Sequence, residues 1–446
     1  LTTKAALANP WPMTKLLCSA AALALFATAV QAQTSDAALA ARVDRVLART
    51  PLIDGHNDLP WAIRERFASK MDKVDLARDT TGLPHAADDP PLMTDIARLK
   101  AGRVGGQFWS VWIPADLRGP EAVQVTLEQI DIVRQMAQRW PAALEMAYTA
   151  DDIVRIHKAG RVASLVGIEG GHQINDSLPA LRQMYAAGAR YMTLTHARNI
   201  AWADSATDNP KLDGLSPFGE QVVREMNWLG MLVDLSHVSE ASMKDALRVT
   251  AAPVIFSHSG SRAVADHPRN VSDEVLLLVK QNRGVVMANF APGYASNAAA
   301  RWASDRAAET TRGNAPPYAG NFIGQPEKAK AALDAWVQAN PHPPVTLAMI
   351  ADHIEHIAKV CGVDCVGIGS DFDGIPTTPK GLEGVDKFPA LFAELARRGW
   401  SDADLGKLAG GNVLRVMREA EAASKRLQAE RPASNATIAE LDAPKR

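Results

Sequence analysis

Cysteine is scarce: three in 446 residues are too few for a disulfide framework or a zinc ribbon. An excess of charge of one sign is lacking too. Lys and Arg number 48 against 50 Asp and Glu, a formal charge of -2, so no basic field points to nucleic acid. The apolar run from Leu16 to Val30 falls short of the roughly 20 residues that span a bilayer. There is no Gly-x-Ser-x-Gly elbow, which leaves a serine hydrolase of that type unsupported, and there is no internal repeat. What remains is a globular composition, 47% apolar and 22% charged, able to bury a sizeable core in one large domain or two to three ordinary ones.

The N-terminus reads as an export segment. Lys15 precedes the apolar run, which ends in Val30-Gln31-Ala32, small residues at the positions a signal peptidase reads. The expected organisation is a signal peptide over 1–32, with Met13 as the start and an upstream extension before it. A single domain follows over 33–430, and then a tail over 431–446 that frays near Pro432. A membrane anchor is the alternative for the first segment. The short signal looks bacterial, and the expected location is periplasmic or secreted. In an oxidising compartment Cys361 and Cys365 either form a disulfide or pack as two thiols.

Eight short apolar runs of strand type recur: Leu52–Leu59, Val104–Trp112, Ala163–Gly171, Ala189–His196, Met231–His237, Pro253–Ser259, Gly284–Phe290 and Cys365–Asp373. Most are near-continuous, as in parallel strands buried on both faces. Helical segments lie between them. Ser216-Pro217 opens one that Gly230 closes, and Ser239, Ser272 and Thr346 can cap three more. The alternation predicts an α/β fold, a (β/α)8 TIM-type barrel. A doubly wound sheet would need a glycine-rich phosphate loop, but Gly367-Ile368-Gly369 has Phe372 where the third glycine belongs. The stretch from Ala291 to Val345, after the seventh strand, is too long for an ordinary loop and reads as an elaborated segment or lid.

Polar residues gather at the strand ends. They are Asp54, His56 and Asp58, then Glu169, His196, His237, His258, Asp371 and Asp373. In a barrel these positions converge on one rim, where active sites lie. Imidazoles and carboxylates are the ligands of zinc and similar ions. His-x-Asp in extended chain puts both side chains on one face, and one glutamate can bridge two ions. His172 is a candidate support for Glu169. His85, His157, His267, His342, His353 and His356 are assigned no chemistry. Trp61, Trp109 and Trp112 lie near the rim, with core packing the better reading.

Asp54-Gly55-His56-Asn57-Asp58-Leu59-Pro60 resembles the opening motif of the membrane (renal-type) dipeptidases, peptidase family M19, in the metal-dependent hydrolase superfamily. Gly167-Ile168-Glu169-Gly170, Leu194-Thr195-His196, Asp234-Leu235-Ser236-His237, Ser257-His258-Ser259, Arg269-Asn270-Val271 and Gly369-Ser370-Asp371-Phe372-Asp373-Gly374 follow in the family's order, over about residues 45–420. The resemblance implies two zinc ions per chain. His56 and Asp58 would hold one, His237 and His258 the other, and Glu169 would bridge them. It further implies that His196 contacts substrate and steadies the oxyanion. Arg269 would pair with the dipeptide carboxylate, Tyr294 would be a further carboxylate contact, and Asp371 would be the acid/base. The implied activity is hydrolysis of dipeptides, including those with a C-terminal D-residue, by a metal-bridged hydroxide. The alternative is hydrolysis of another small amide, a lactone or a β-lactam. The tail carries no lipid-anchor signal of the kind seen in the animal enzymes, so the expected partners are a small dipeptide and a possible second copy of the chain, with no stable membrane anchor.

Overall fold

In a computed structural model, which describes residue 2 and residues 36–86, 89–314 and 320–443, eight parallel strands close on themselves. They are β1 (Leu52–Asn57), β2 (Val104–Trp112), β4 (Val162–Glu169), β5 (Ala189–Thr193), β6 (Leu232–Asp234), β7 (Ile255–Phe256), β8 (Val285–Ala288) and β9 (Val366–Ile368). Each pairs with the next, and β9 returns to β1 through Asp54 opposite Ile368. Helices surround the ring, so the fold is the expected (β/α)8 barrel. The sequence reading omitted one strand, β3 (Leu144–Met146), which lies outside the ring and pairs with the foot of β4 at Val162–Ser164. There is room for it because β5 joins β4 only from Val166 onward.

The strands are shorter at the rim than the apolar runs imply. β6 stops at Asp234 and β9 at Ile368. Beyond them the chain leaves the ladder, and His237 and Asp371 adopt left-handed backbone, each with φ of 67°. Such strain in non-glycine residues marks places where surrounding structure dictates the turn.

Alternation along each strand divides the core into two shells. Ile53, Phe108, Leu165, Tyr191, Leu232, Ile255 and Met287 form one cluster, the barrel interior. Their neighbours Leu52, Trp109, Val166, Met192, Val233, Phe256 and Val286 belong to the outer cluster, packed against the helices. Tyr191 fits the interior because Gly167 on β4 has no side chain: a Cβ there would fall within the Tyr191 ring. Trp109 is core, as expected, whereas Trp61 and Trp112 stand at the rim, edge to face at 4.5 Å.

The helix ends follow the sequence signals. Ser216, Ser239 and Ser272 accept hydrogen bonds from the backbone N–H of Gly219, Ser242 and Val275. Thr346 precedes the helix Leu347–Cys361 without a side-chain cap; the Leu347 N–H bonds the Lys380 carbonyl instead. Cys361 and Cys365 are joined in a disulfide between that helix and β9. The segment after β8 folds into the helices Pro292–Ala295, Asn297–Asn314 and Pro326–Ala339.

The tail does not fray at Pro432. Its helix ends at Glu430, and the chain then docks on the helix Pro217–Leu229. The Asp442 carboxylate accepts from Ser216 Oγ at 2.6 Å and from the Phe218 N–H at 2.9 Å, and buried Glu225 accepts from the Ser434 N–H. Charges at a helix N-terminus hold a tail that composition alone leaves free. The export segment read over 1–32 lies, Thr2 apart, outside the described residues. Among the described residues no helix is long and apolar enough to cross a membrane.

Gly167→Ala is expected to destabilise the chain by roughly 1–3 kcal/mol, the usual cost of overpacking a filled core. Gly82→Ala, where a Cβ meets nothing within 4 Å, serves as the control. Urea unfolding checks both; equal midpoints for the two variants would contradict the close approach of Tyr191 to β4.

Candidate metal centre

Each strand end delivers its side chain to the same basin. His56 lies in β1, Asp58 opens the following helix, and Glu169 ends β4. His196, His237, His258 and Asp371 stand just beyond β5, β6, β7 and β9. All seven contribute to one cluster, and all but His196 and Asp371 are buried outright.

The cluster divides about the two oxygens of Glu169. His56 Nε2 lies 3.6 Å from Glu169 Oε2 and 3.3 Å from Asp58 Oδ2. On the other side His237 Nε2 lies 2.9 Å and His258 Nε2 3.4 Å from Glu169 Oε1. Two ligand groups result, His56–Asp58–Glu169 and Glu169–His237–His258, sharing only the glutamate. A third group, His56–His258–Asp371, spans both sides. His196 Nε2 is 3.7 Å from Glu169 Oε1 and belongs to none of them.

Hydrogen bonds behind the imidazoles decide which nitrogen faces inward. The Tyr191 hydroxyl donates to the Gly55 carbonyl at 3.1 Å, so its oxygen accepts the Nδ1 proton of His56 at 2.9 Å. His56 Nε2 is left as a buried lone pair with no hydrogen-bond partner, facing two carboxylates. His258 repeats the pattern: Ser257 Oγ donates to Asp234 Oδ2 at 2.6 Å and accepts from His258 Nδ1 at 2.9 Å. The Nε2 atoms of His237 and His258 then face each other at 2.9 Å. His237 Nδ1 has no partner behind it, so only His56 and His258 have their inward lone pairs fixed, and these are crowded against carboxylate oxygens that a cation would relieve. The donor set therefore fits two divalent ions of the imidazole-and-carboxylate kind.

The proton affinities agree. Burial pushes His237 and His258 well below the ordinary histidine range, which is the neutral form a metal takes. Burial also lowers His56, but the negative groups around it outweigh burial and raise it, a demand for positive charge at that spot. Glu169 is pushed up by burial and pulled further down by His56, His196 and the other imidazoles, so it is held as a carboxylate. Burial raises Asp371 to about 7, with His56 opposing. Its Oδ2 accepts from Asn289 Nδ2 at 3.0 Å.

The cluster forms the floor of a cavity of about 800 Å³. Arg269 and Tyr294 both line it, with the guanidinium carbon 5.3 Å from the centre of the Tyr294 ring. Arg269 is buried, yet its bonds to Ser259 Oγ and the His258 carbonyl are long, 3.5 and 3.3 Å, and its Nε has no partner. A buried cation held this loosely can still take up an anion.

Several supporting residues were not assigned roles from sequence. Asp54 ties the ends of β1, β2 and β9 together through His56, Gln107 and Ser370, and Asp234 does the same for β5, β6 and β7 through Thr193, Ser236 and Ser257. Gln173 donates to the Val111 and Glu169 carbonyls and fixes the end of β4. Asn289 follows β8 and would have emerged from the strand-end rule applied to that strand. Tyr191 is polar within an otherwise apolar interior, a weaker signal. His172 joins no ligand group; it lies against Gly170, and burial lowers it to about 4. His353 is structural, accepting the Ser261 N–H at 2.9 Å. One of the unassigned histidines does reach the cavity, His342 on its lining, while His267 lies behind it with its ring 4.6 Å from that of Tyr294.

Known proteins with this architecture match nearly the whole chain. The probable dipeptidase PvdM from Pseudomonas aeruginosa is 26% identical, with 86% of this chain and 99% of that one covered at a TM-score of 0.71. A metallopeptidase from Rhodobacter sphaeroides, solved with a phosphinate mimic of L-Ala-D-Ala, is 22% identical over 83% of this chain and 99% of its own, with a TM-score of 0.66. An amidohydrolase from Pseudomonas aeruginosa is 19% identical over 85% and 98%, with a TM-score of 0.63. The last two likenesses concern the fold. Residues 40–431 match the sequence family described as membrane dipeptidase, peptidase family M19. The chain belongs to that family, and so to the metallodipeptidases.

Proposed function

We propose that the chain is a zinc-dependent dipeptidase whose substrates include dipeptides with a C-terminal D-residue. The observation that carries this reading is the division of Glu169: one oxygen faces His56 and Asp58, the other faces His237 and His258. His56 and Asp58 hold one zinc, His237 and His258 the other, and Glu169 is common to both. When bound, the two ions lower the pKa of a water and polarise the scissile carbonyl. The dipeptide mimic held by the Rhodobacter sphaeroides protein supports the same substrate class here.

The chain's own residues do the rest. Arg269 pairs with the C-terminal carboxylate, Tyr294 lies beside it, and together they set the peptide bond over the floor of the cavity. His196 stands at the margin of the cluster, placed to donate to the carbonyl oxygen as it becomes an oxyanion. Asp371 takes a proton from the attacking water and passes it to the leaving amine. Its raised pKa suits that exchange. The requirement for an anionic end, set by Arg269, favours dipeptides over neutral lactones. Residues 1–32 are an export signal in this reading, and the mature enzyme works in the periplasm or outside the cell.

The direct test is hydrolysis of L-Ala–D-Ala by the purified chain before and after chelation. Activity is expected to vanish with chelator and return with zinc; no cleavage by a folded, zinc-loaded chain would overturn the reading. Asp371→Asn is expected to keep its metal content while kcat falls by about 100-fold or more, the scale of general acid–base catalysis. Full turnover in that variant would remove Asp371 from the mechanism. Tyr191→Phe is expected to stay folded and to bind zinc roughly 10–100-fold more weakly, the usual effect of losing a group that orients a ligand. Competition with a chromophoric chelator measures this, and unchanged affinity would show that the Tyr191 bond does not set the His56 tautomer.

A further inference from the structure

The cavity is larger than its metal-facing floor requires, and its outer wall comes from the segment after β8. The helix Asn297–Asn314 turns one stripe to it: Ala299, Trp302, Ala303 and Arg306. These are successive positions on one face of a helix. Trp302 is fixed there, its Nε1 donating to the Asn340 carbonyl at 2.7 Å and its ring 4.7 Å from that of His342. Arg306 stands one turn beyond. Both residues line the cavity.

Arg306 is a solvent-exposed cation on the cavity lining. Among the described residues its guanidinium makes no ion pair or hydrogen bond. The acid one turn away, Glu309, is taken by Arg312 at 2.6 Å. Of the other cations of the cavity, Arg66 Nη1 donates to the Pro90 carbonyl at 2.8 Å, and Arg269 is reserved in this reading for the substrate's C-terminal carboxylate. The helix Leu59–Phe67 also lines the cavity, with Trp61, Glu65 and Arg66. Tyr294 lies just before the Arg306 helix, so a substrate whose carboxylate is held at Arg269 and Tyr294 has its C-terminal residue on this wall.

Resting on the dipeptidase reading, we infer that Arg306 is a specificity residue and that the preferred substrates are dipeptides whose C-terminal residue carries an acidic side chain. The methylenes of that side chain lie along Trp302 and its carboxylate meets Arg306. Glutamate reaches farther along the stripe than aspartate and is the better fit. Arg306 takes no part in the chemistry, so small neutral dipeptides are cleaved without it.

The experiment compares kcat/KM of the zinc-loaded chain on Ala–Glu, the isosteric Ala–Gln, and Ala–Ala, each with the second residue as L and as D. The expected result is a preference for Glu over Gln of about tenfold or more, on the scale of a charge-assisted bond, that shrinks as salt rises. Arg306→Gln removes the preference and leaves Ala–Ala within twofold of the parent. Arg306→Glu reverses it in favour of Ala–Lys. Cleavage of Ala–Ala with Glu and Gln equal in the parent chain would overturn the inference and leave the dipeptidase reading standing. A preference that survives Arg306→Gln would also overturn it, placing the recognition elsewhere. No cleavage of any of these dipeptides would sink the dipeptidase reading, and this inference with it.

Discussion

The two oxygens of Glu169 face opposite halves of one buried ligand cluster. On each side one imidazole, His56 or His258, has its Nδ1 proton held behind the ring by Tyr191 or Ser257, so that its Nε2 lone pair faces the carboxylate. The carboxylate is buried and held in its charged form, and Asp58 and Asp371 add negative groups to the same basin. Buried charge of one sign is costly unless it is paired. The ligand geometry, the imidazole tautomers and the need for positive charge all follow from this one constraint, and a pair of divalent cations meets it.

The barrel is built to hold that constraint in place. Asp54 and Asp234 lie beneath the cluster, each fully buried and each tying several strand ends together. Burial pushes Asp54 up to about 6, against hydrogen bonds from Ser370 and Gln107. The backbone accepts strain at His237 and Asp371 so that the side chains turn inward. Gly374 belongs to the same design: a Cβ there would fall against Asp58 Oδ2. The floor of the cavity is thus held by many buried bonds, while part of its lining comes from the helix Asn297–Asn314 after β8, whose stripe shares no ligand with the cluster.

The parts of this arrangement legible in the sequence are those with a local signature. Near-continuous apolar runs marked all eight barrel strands, and serine caps marked helix starts at Ser216, Ser239 and Ser272. The polar strand ends marked His56, Asp58, Glu169, His196, His237, His258 and Asp371 before any geometry was available. What escaped was set by distant contacts. β3 is a short strand that exists only because β5 joins β4 late. The tail after Pro432 looked free because its anchor, the N-terminus of the helix Pro217–Leu229, is far away in the chain. Tyr191 carries no local signature because its hydroxyl meets His56 only once the barrel has closed. His342 and Arg306 carried no motif; they matter through the helix and loop that turn them toward the cavity.

The central claim is that Glu169 divides two metal ions between two pairs of ligands. Anomalous scattering at the zinc edge from crystals of the zinc-loaded chain tests it most directly. The account predicts two peaks, one between His56, Asp58 and Glu169 Oε2, the other between His237, His258 and Glu169 Oε1. A single peak, or peaks away from Glu169, would contradict it.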